Sequence, residues 1–374
     1  MSKRNLLNPL LALSLTLPVA ALADTSNVTL YGAANVSYDF INTGTSTAGV
    51  QGTSIRKVSS NASRLGFKGS EDLGDGWSGN WQVESLIALD NAGGTFATRN
   101  TYAELSNKQY GALLLGRYDT PYKLSTRKLD PFGDSIGDNR SLFGGVTGSS
   151  ASVAFDGRQP DVIFYKSPTI EGFSAAIAQV NLNEAANTNA AAKASATSFA
   201  AMYDSGTLYG SLAYETHKLD TVRVGGKENA WRIGLGYNVD DFVLGLAFEK
   251  TSDTLGGATA PAACSKLAAG TDCLGHSAWY VTGKYTFERN AVKAAYTRVG
   301  NLGTAANTGA YQLSLGFDRK LSKRTTLFAL YTKINNELAA NYGLGNTAFS
   351  SGATPSIGAG AAPSAVSFGM KYMF

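Results

Sequence analysis

Apolar side chains recur along this chain at every second position, the period of an extended strand, and leave small or polar residues on the opposite face. Val28, Leu30, Ala34, Val36, Tyr38 and Phe40 share one face, against Thr29, Tyr31, Asn35, Ser37 and Asp39. Trp231, Ile233, Leu235 and Tyr237 alternate with Arg232, Gly234, Gly236 and Asn238, and Phe242, Leu244, Leu246 and Phe248 alternate with Val243, Gly245, Ala247 and Glu249. The chain closes in the same way, with Val366, Phe368, Met370, Tyr372 and Phe374 opposite Ser367, Gly369, Lys371 and Met373. No helical stripe of similar length is present.

Turn-forming clusters of Gly, Asn, Asp and Ser mark seven short joints, at 72–76, 106–111, 168–172, 204–206, 238–241, 288–290 and 319–323. Eight longer connections lie between them, at 42–62, 90–98, 119–157, 183–197, 218–228, 253–276, 301–308 and 336–364. Fifteen joints connect sixteen strands. An even number of strands, with short turns at one end and long loops at the other, is the pattern of an outer-membrane barrel. Within hydrocarbon every backbone N–H and C=O must be paired inside the protein, so a chain without helices must close its sheet to span. A soluble sandwich also alternates, but it shows water a charged face. The non-apolar positions here are mostly Gly, Ser, Thr and Asn.

Composition sharpens this picture. Charged residues make up 16% of the 374 positions and glycine supplies 42, against typical values of about 25% charged and about 7% Gly. With 17 Phe, 18 Tyr and 4 Trp, the chain is no disordered polymer. Residues 1–23 are expected to be a secretory leader preceding a single domain at 24–374. Lys3 and Arg4 start it, an apolar stretch follows from Leu10 to Leu17, and Ala21-Leu22-Ala23 gives a small-x-small cleavage pattern. Removing Lys3 and Arg4 leaves 30 basic and 28 acidic side chains, net +2. Such a weak balance argues against nucleic acid, whose binding needs many clustered phosphate contacts. Asn27 and Asn61 fall in glycosylation-type triplets that an exported bacterial barrel would leave unmodified.

Several stretches resemble the trimeric porins of Gram-negative outer membranes, in particular the beta-proteobacterial and neisserial type. They are Val28-Thr29-Leu30-Tyr31-Gly32, Ser63-Arg64-Leu65-Gly66-Phe67-Lys68-Gly69 with Glu71-Asp72-Leu73-Gly74, Leu115-Gly116-Arg117, Tyr165-Lys166-Ser167-Pro168 with Gly172-Phe173, and the terminal Phe374. The resemblance implies an all-β fold, a sixteen-stranded antiparallel transmembrane β-barrel with an inward-folded third loop. It also implies a homotrimer in the outer membrane. Phe374, with Tyr372 and Met370 on its face, resembles the signal by which barrel proteins are recognised for insertion.

Strand parity gives the lumen. With the apolar face outward, Arg64, Lys68, Arg158, Lys166, Arg232, Lys284, Lys293 and Lys371 point to water, against Asp39, Glu84, Glu215 and Glu249. Arg117 shares parity with Leu113 and Leu115, and a bulge at Gly116 would re-aim it inward. The 119–157 connection is too long for a hairpin loop, and long ordered loops are usually functional. By resemblance it is the constriction loop, whose Asp130, Asp134 and Asp138 would face the wall arginines across the eyelet. Arg127, Lys128 and Arg140 stand nearby and leave the net sign of the constriction open. Separated opposite charges order water and favour polar solutes. The expected function is passive diffusion of small hydrophilic solutes and inorganic ions with a mild anion preference. A solute-specific channel or a surface adhesin built on the same barrel is the alternative.

Cys264 and Cys273 share one loop of an exported chain, so a disulfide is expected, with free thiols or a metal pair as alternatives. No four-ligand metal pattern is present and no cofactor is implied. The two histidines, His217 and His276, lie in or beside expected loops, where surface exposure is the simplest reading. Without a Gly-x-Ser-x-Gly elbow or a phosphate-binding loop, an enzyme is not expected.

Overall fold

A computed structural model describes residues 28–91, 96–145, 155–181, 194–220, 222–258, 262–345 and 357–374. The expected leader and Asn27 lie outside the described residues. The strands are β1 (Thr29–Asn42), β2 (Ser54–Ser60), β3 (Arg64–Gly74), β4 (Trp77–Leu86), β5 (Thr101–Asn107), β6 (Gly111–Asp119), β7 (Arg158–Lys166), β8 (Phe173–Asn181) and β9 (Ala194–Asp204). They continue with β10 (Leu208–Leu219), β11 (Lys227–Val239), β12 (Phe242–Asp253), β13 (Ser277–Phe287), β14 (Asn290–Val299), β15 (Ala310–Lys320), β16 (Thr325–Asn336) and β17 (Ser364–Met373).

From β3 onward each strand pairs antiparallel with its neighbours in sequence, and β17 also pairs with β1, from Ala33 opposite Met373 to Asn42 opposite Ser364. Phe374 finishes the seam by exchanging backbone hydrogen bonds with Gly32, at 2.9 and 3.1 Å. Its ring lies over Gly32, where a Cβ would sit 2.4 Å from Cζ of Phe374, so a side chain there would push the last residue off the seam. The sheet has no free edge.

Seventeen segments make sixteen staves. β2 and β3 share β1 as partner, β2 along residues 36–42 and β3 along residues 29–33. They form one strand broken at Asn61–Ser63, where Ala62 takes a positive φ of 53°. Asn61 donates to Ser37 Oγ, and the Ser63 hydroxyl donates to the Asn35 carbonyl, satisfying the broken ladder. This corrects the expectation of a continuous connection over 42–62. Ile55 and Val58 lie on opposite faces and Arg56 sits on the outward one, opposite Phe40, so Ser54–Ser60 carries no alternation to detect. All seven short joints fall where the turn clusters place them.

The two faces separate as expected. Trp231, Ile233 and Leu235 are about half exposed, whereas Arg232 between them is 1% exposed. Outside, a largely apolar skin covers the barrel; inside, the wall is polar and packs against the described residues of the loop between β6 and β7. A soluble fold would bury the apolar face instead.

Candidate functional site

The loop between β6 and β7 turns into the barrel. Thr120 caps a single helical turn, α1 (Pro121–Leu124), accepting from the Lys123 N–H, and Pro121 at the first position supplies the fixed φ a helix start favours. Two 3₁₀ turns follow, at Arg127–Leu129 and Asn139–Ser141. From Ser125 to Gly137 the chain crosses the lumen and wall groups reach its carbonyls one after another. Tyr209 donates to Ser125, Tyr280 to Thr126 at 3.1 Å, Thr282 to Leu129 at 2.8 Å and Lys293 to Pro131 at 3.1 Å. On the far side Asn35 donates to Asp134 at 3.0 Å and Ser314 to Gly137 at 3.2 Å. Leu129, Phe132, Ile136, Leu142 and Phe143 of the loop share a core with Tyr280, Leu330 and Ile334 of the wall.

Glycines on the inner face make room for this crossing. A Cβ on Gly245 would lie 2.9 Å from the Leu129 carbonyl, and one on Gly234 would lie 2.7 Å from Thr126 Cγ2.

The root of the loop is held by Arg232. Its guanidinium is fully buried, reaches Asp156 at 2.6 Å and Glu249 at 2.5 Å, and lies 4.0 Å from the centre of the Tyr122 ring. Glu249 also accepts from the Tyr122 hydroxyl at 2.7 Å and from the Gly144 and Gly145 N–H groups at 3.0 Å each. An isolated buried carboxylate would be expelled or protonated; here it collects four donors, three of them from the loop.

Ion pairs join wall and loop. Arg64 on β3 meets Asp134 of the loop at 3.2 Å and Glu84 at 3.9 Å, and Arg99 of the second loop meets Glu84 at 2.5 Å. The three loop acids divide. Asp134 lies between the wall and the loop, pairing with Arg127 of the loop at 3.3 Å as well as with Arg64. Asp130 and Asp138 do not: both are buried in the loop's own frame, which corrects their expected place at the eyelet. Asp138 accepts from Arg127 at 2.8 Å, from Arg140 at 3.0 Å and from the Asp134 and Arg140 N–H groups. Asp130 accepts from the Phe132 and Asn139 N–H groups at 2.9 and 3.0 Å. Burial works against ionising Asp138, but Arg127 and Arg140 outweigh it and hold its pKa far below the usual carboxylate range. Burial and the neighbouring Asp138 push Asp130 up to about 6.

The other basic positions spread along the bore. Arg158 pairs with Asp119 at 3.1 Å, which also holds Lys123 at 2.8 Å, a second ion-pair group near the long-loop end. Lys68 and Lys166 are exposed toward the short-turn end; the Lys68 ammonium lies 5.3 Å from the Tyr31 ring centre. The register does slip between Gly116 and Tyr118, with Asp161 on β7 at positive φ, and Arg117 donates to the Thr98 carbonyl at 3.1 Å. No described ion pair includes Arg117, so it stands apart from the Arg64 group.

Both histidines are buried, which corrects their expected exposure. His217 lies between Glu215 at 2.8 Å and Glu228 at 2.6 Å and stacks on Phe155 of the third loop; His276 contacts Thr251 and the Leu274 carbonyl. Cys264 and Cys273 are disulfide-bonded, and Asp253 orders their loop by accepting from the Leu255, Cys273 and Leu274 N–H groups. Among the described residues no cluster of three metal-ligating side chains occurs. Arg99 was not singled out from sequence because it follows an irregular connection with no periodicity. Arg127, noticed only for its charge, neutralises the loop acids from within.

Comparison with known proteins completes the description. The profile of the Gram-negative porin family matches residues 10–339. A major outer membrane protein, P.IB, of Neisseria meningitidis serogroup B is 33% identical over 181 residues, 47% of this chain and 49% of that protein. An outer membrane porin protein of Bordetella pertussis is 28% identical over 305 residues, 72% of this chain and 76% of that protein. The chain thus spans about half the length of the neisserial relative and three quarters of the Bordetella one. An anion-selective porin from Comamonas acidovorans superimposes with a TM-score of 0.77 at 23% identity, covering 93% of this chain and all of that one. The trimer form of OmpT, an outer membrane protein of Vibrio cholerae, does so with 0.63 at 16% identity, covering 94% and 100%. With a family profile spanning most of its length and a closed sixteen-stave barrel beneath it, this chain belongs to the Gram-negative porin family.

Proposed function

We propose that the protein is a homotrimeric outer-membrane channel that passes small hydrophilic solutes and inorganic ions by passive diffusion, with a mild preference for anions. It carries out no catalysis and uses no cofactor on this reading. The observation that carries it is the third loop, folded across a closed barrel and ion-paired to the wall through Arg64 and Asp134. A loop so held leaves a narrowed aqueous path. Its acids Asp130 and Asp138 are consumed by Arg127 and Arg140, while Lys371 on the wall has no described ion pair, so the charge left for solutes is positive. The anion-selective Comamonas protein and the trimeric Vibrio protein have the same fold and support the reading.

Reversal potentials across a planar bilayer in a tenfold salt gradient test it. Anion preference is expected, and Arg64→Gln should reduce it while raising conductance by freeing Asp134 from the wall, with Arg127 as its remaining partner. A clear cation preference in the parent protein would sink the selectivity, and the absence of any channel would sink the function.

A further inference from the structure

The tip of the third loop roofs a separate compartment. Residues 131–135 cover a cavity of about 230 Å³ whose wall comes from β1 and from β14 to β17. Asp318 and Thr326, on either side of the turn between β15 and β16, place it toward the short-turn end. The two lysines in its lining differ. Lys293 is committed: its ammonium donates to the Pro131 carbonyl at 3.1 Å, pairs with Asp318 at 3.0 Å and lies 4.9 Å from the Phe132 ring centre. The Lys371 ammonium enters no ion pair or hydrogen bond among the described residues, and Lys371 stands directly opposite Asn35 on one side and Thr326 on the other.

Asn35 carries the opposite deficit. Both hydrogens of its amide nitrogen are used, on the Asn61 carbonyl at 2.9 Å and the Asp134 carbonyl at 3.0 Å. Those two acceptors fix which way the amide points, because its oxygen cannot take the place of the nitrogen beside them. The oxygen is buried and receives no donor. An acceptor left in that state costs the fold stability. Lys371 lacks an anion, and Asn35 beside it lacks a donor. Apolar groups complete the lining: Phe328 lies along β16 from Thr326, and Leu330 and Phe132 continue its surface. Directly opposed Cβ atoms sit about 5 Å apart, so one ligand meeting both needs must carry its anionic group and its donor close together. The Asp318 carboxylate in the same lining favours a donor that is itself a cation.

We propose that this cavity binds a zwitterionic α-amino acid with an apolar side chain. Its carboxylate meets Lys371 and Thr326, its ammonium meets Asn35 Oδ1 and Asp318, and its side chain lies against Phe328, Leu330 and Phe132. The volume is below the roughly 300 Å³ at which pockets for drug-sized ligands begin, which suits a solute of leucine's size. The site rests on the channel reading, since the lumen is the route to it. It adds a selection by paired charge and shape that a mild anion preference does not make.

Saturation-transfer NMR on the full chain in nanodiscs, with L-leucine, 4-methylpentanoate and 3-methylbutylamine as probes, tests it. Leucine should bind, and each probe lacking one charged group should bind roughly tenfold more weakly, the worth of one charge-assisted hydrogen bond. Glycine, without the apolar side chain, should also fall by about tenfold. Lys371→Met should weaken leucine by a similar factor and leave 3-methylbutylamine unchanged, because the amine never meets the lysine; that unchanged binding reports an intact cavity. Equal binding of leucine and 4-methylpentanoate would overturn the proposal by showing that the wall reads negative charge alone. Unchanged leucine binding by Lys371→Met would overturn it by placing the solute elsewhere. The probe series on the parent chain needs no variant, so it decides the matter even where Lys371→Met does not assemble. Bilayer conductance of the same preparation separates the two readings: a channel that does not bind leucine overturns the cavity alone, and the absence of a channel overturns the reading on which it rests.

Discussion

Replacing Arg232 by methionine removes the single cation between Asp156 and Glu249 while keeping most of the side chain's volume. Both carboxylates remain within the protein, and Glu249 keeps only the Tyr122 hydroxyl and the Gly144 and Gly145 N–H groups. The loop also loses the bonds from Arg232 to the Tyr122 carbonyl at 3.3 Å and to Thr126 Oγ1 at 3.2 Å. Removing one partner of a buried ion pair costs about 3–5 kcal/mol, because the other charge is left uncompensated. At about 1.4 kcal/mol per factor of ten, detachment of the loop root becomes roughly two to three and a half orders of magnitude more frequent. The backbone ladder between β11 and β12 does not involve the side chain, so the barrel should still assemble. Single-channel recording should show larger mean conductance with added flicker, and limited proteolysis should cut between residues 120 and 157. The double variant Arg232→Met, Glu249→Gln should restore much of the parent behaviour, since it removes a buried charge along with its partner. If Arg232→Met conducts with the parent's amplitude and noise, the cluster does not hold the loop.

Further outcomes follow from other contacts. Gly245→Ala should displace the loop at Leu129, at an overpacking cost of about 1–3 kcal/mol, and change conductance without loss of the trimer on gels. Reducing the Cys264–Cys273 bond, which closes a ring of sequence separation 9, should weaken its loop by about 2–3 kcal/mol and expose it to protease, leaving conductance unchanged. Acid should act through Asp138. Its pKa in the fold is depressed, so its stabilisation is complete above the ordinary value near 4 and drains as pH falls below it. Asp130, raised to about 6, has the opposite sign: its folded form takes a proton readily, so passing from pH 7 to 5 costs the loop nothing on its account. Conductance measured from pH 7 downward should hold steady to about pH 4 and become noisy below it; a step at pH 6 would contradict this assignment.

Much of the architecture was legible because period-two alternation and turn chemistry are local. The turn at Asp240-Asp241 fixes Val239 opposite Phe242 and, seven steps along, Arg232 opposite Glu249, so even the anchor pair is written in the register. Its third member, Asp156, comes from the loop, and no periodicity says where a loop returns. The same limit explains Asp130 and Asp138. Their spacing suits an eyelet, but Arg127 and Arg140, close in sequence, claim them once the chain winds into 3₁₀ turns. His217 and His276 were misplaced because alternation at strand ends says which face a residue takes, not whether a loop later covers it.

The bond between Gly32 and Phe374 has a kinetic meaning. Every other strand pair can form as a hairpin or with a neighbour in the chain, whereas this one must wait for partners that are as far apart as the described chain allows. Long-range pairing is slow, since loop entropy is lost before contacts return it. Until that meeting, the assembling sheet presents two unsatisfied margins, each able to recruit a strand from another molecule. The rate of this last encounter, more than the strength of any hairpin, should decide how much of the newly made protein reaches the membrane and how much aggregates on the way.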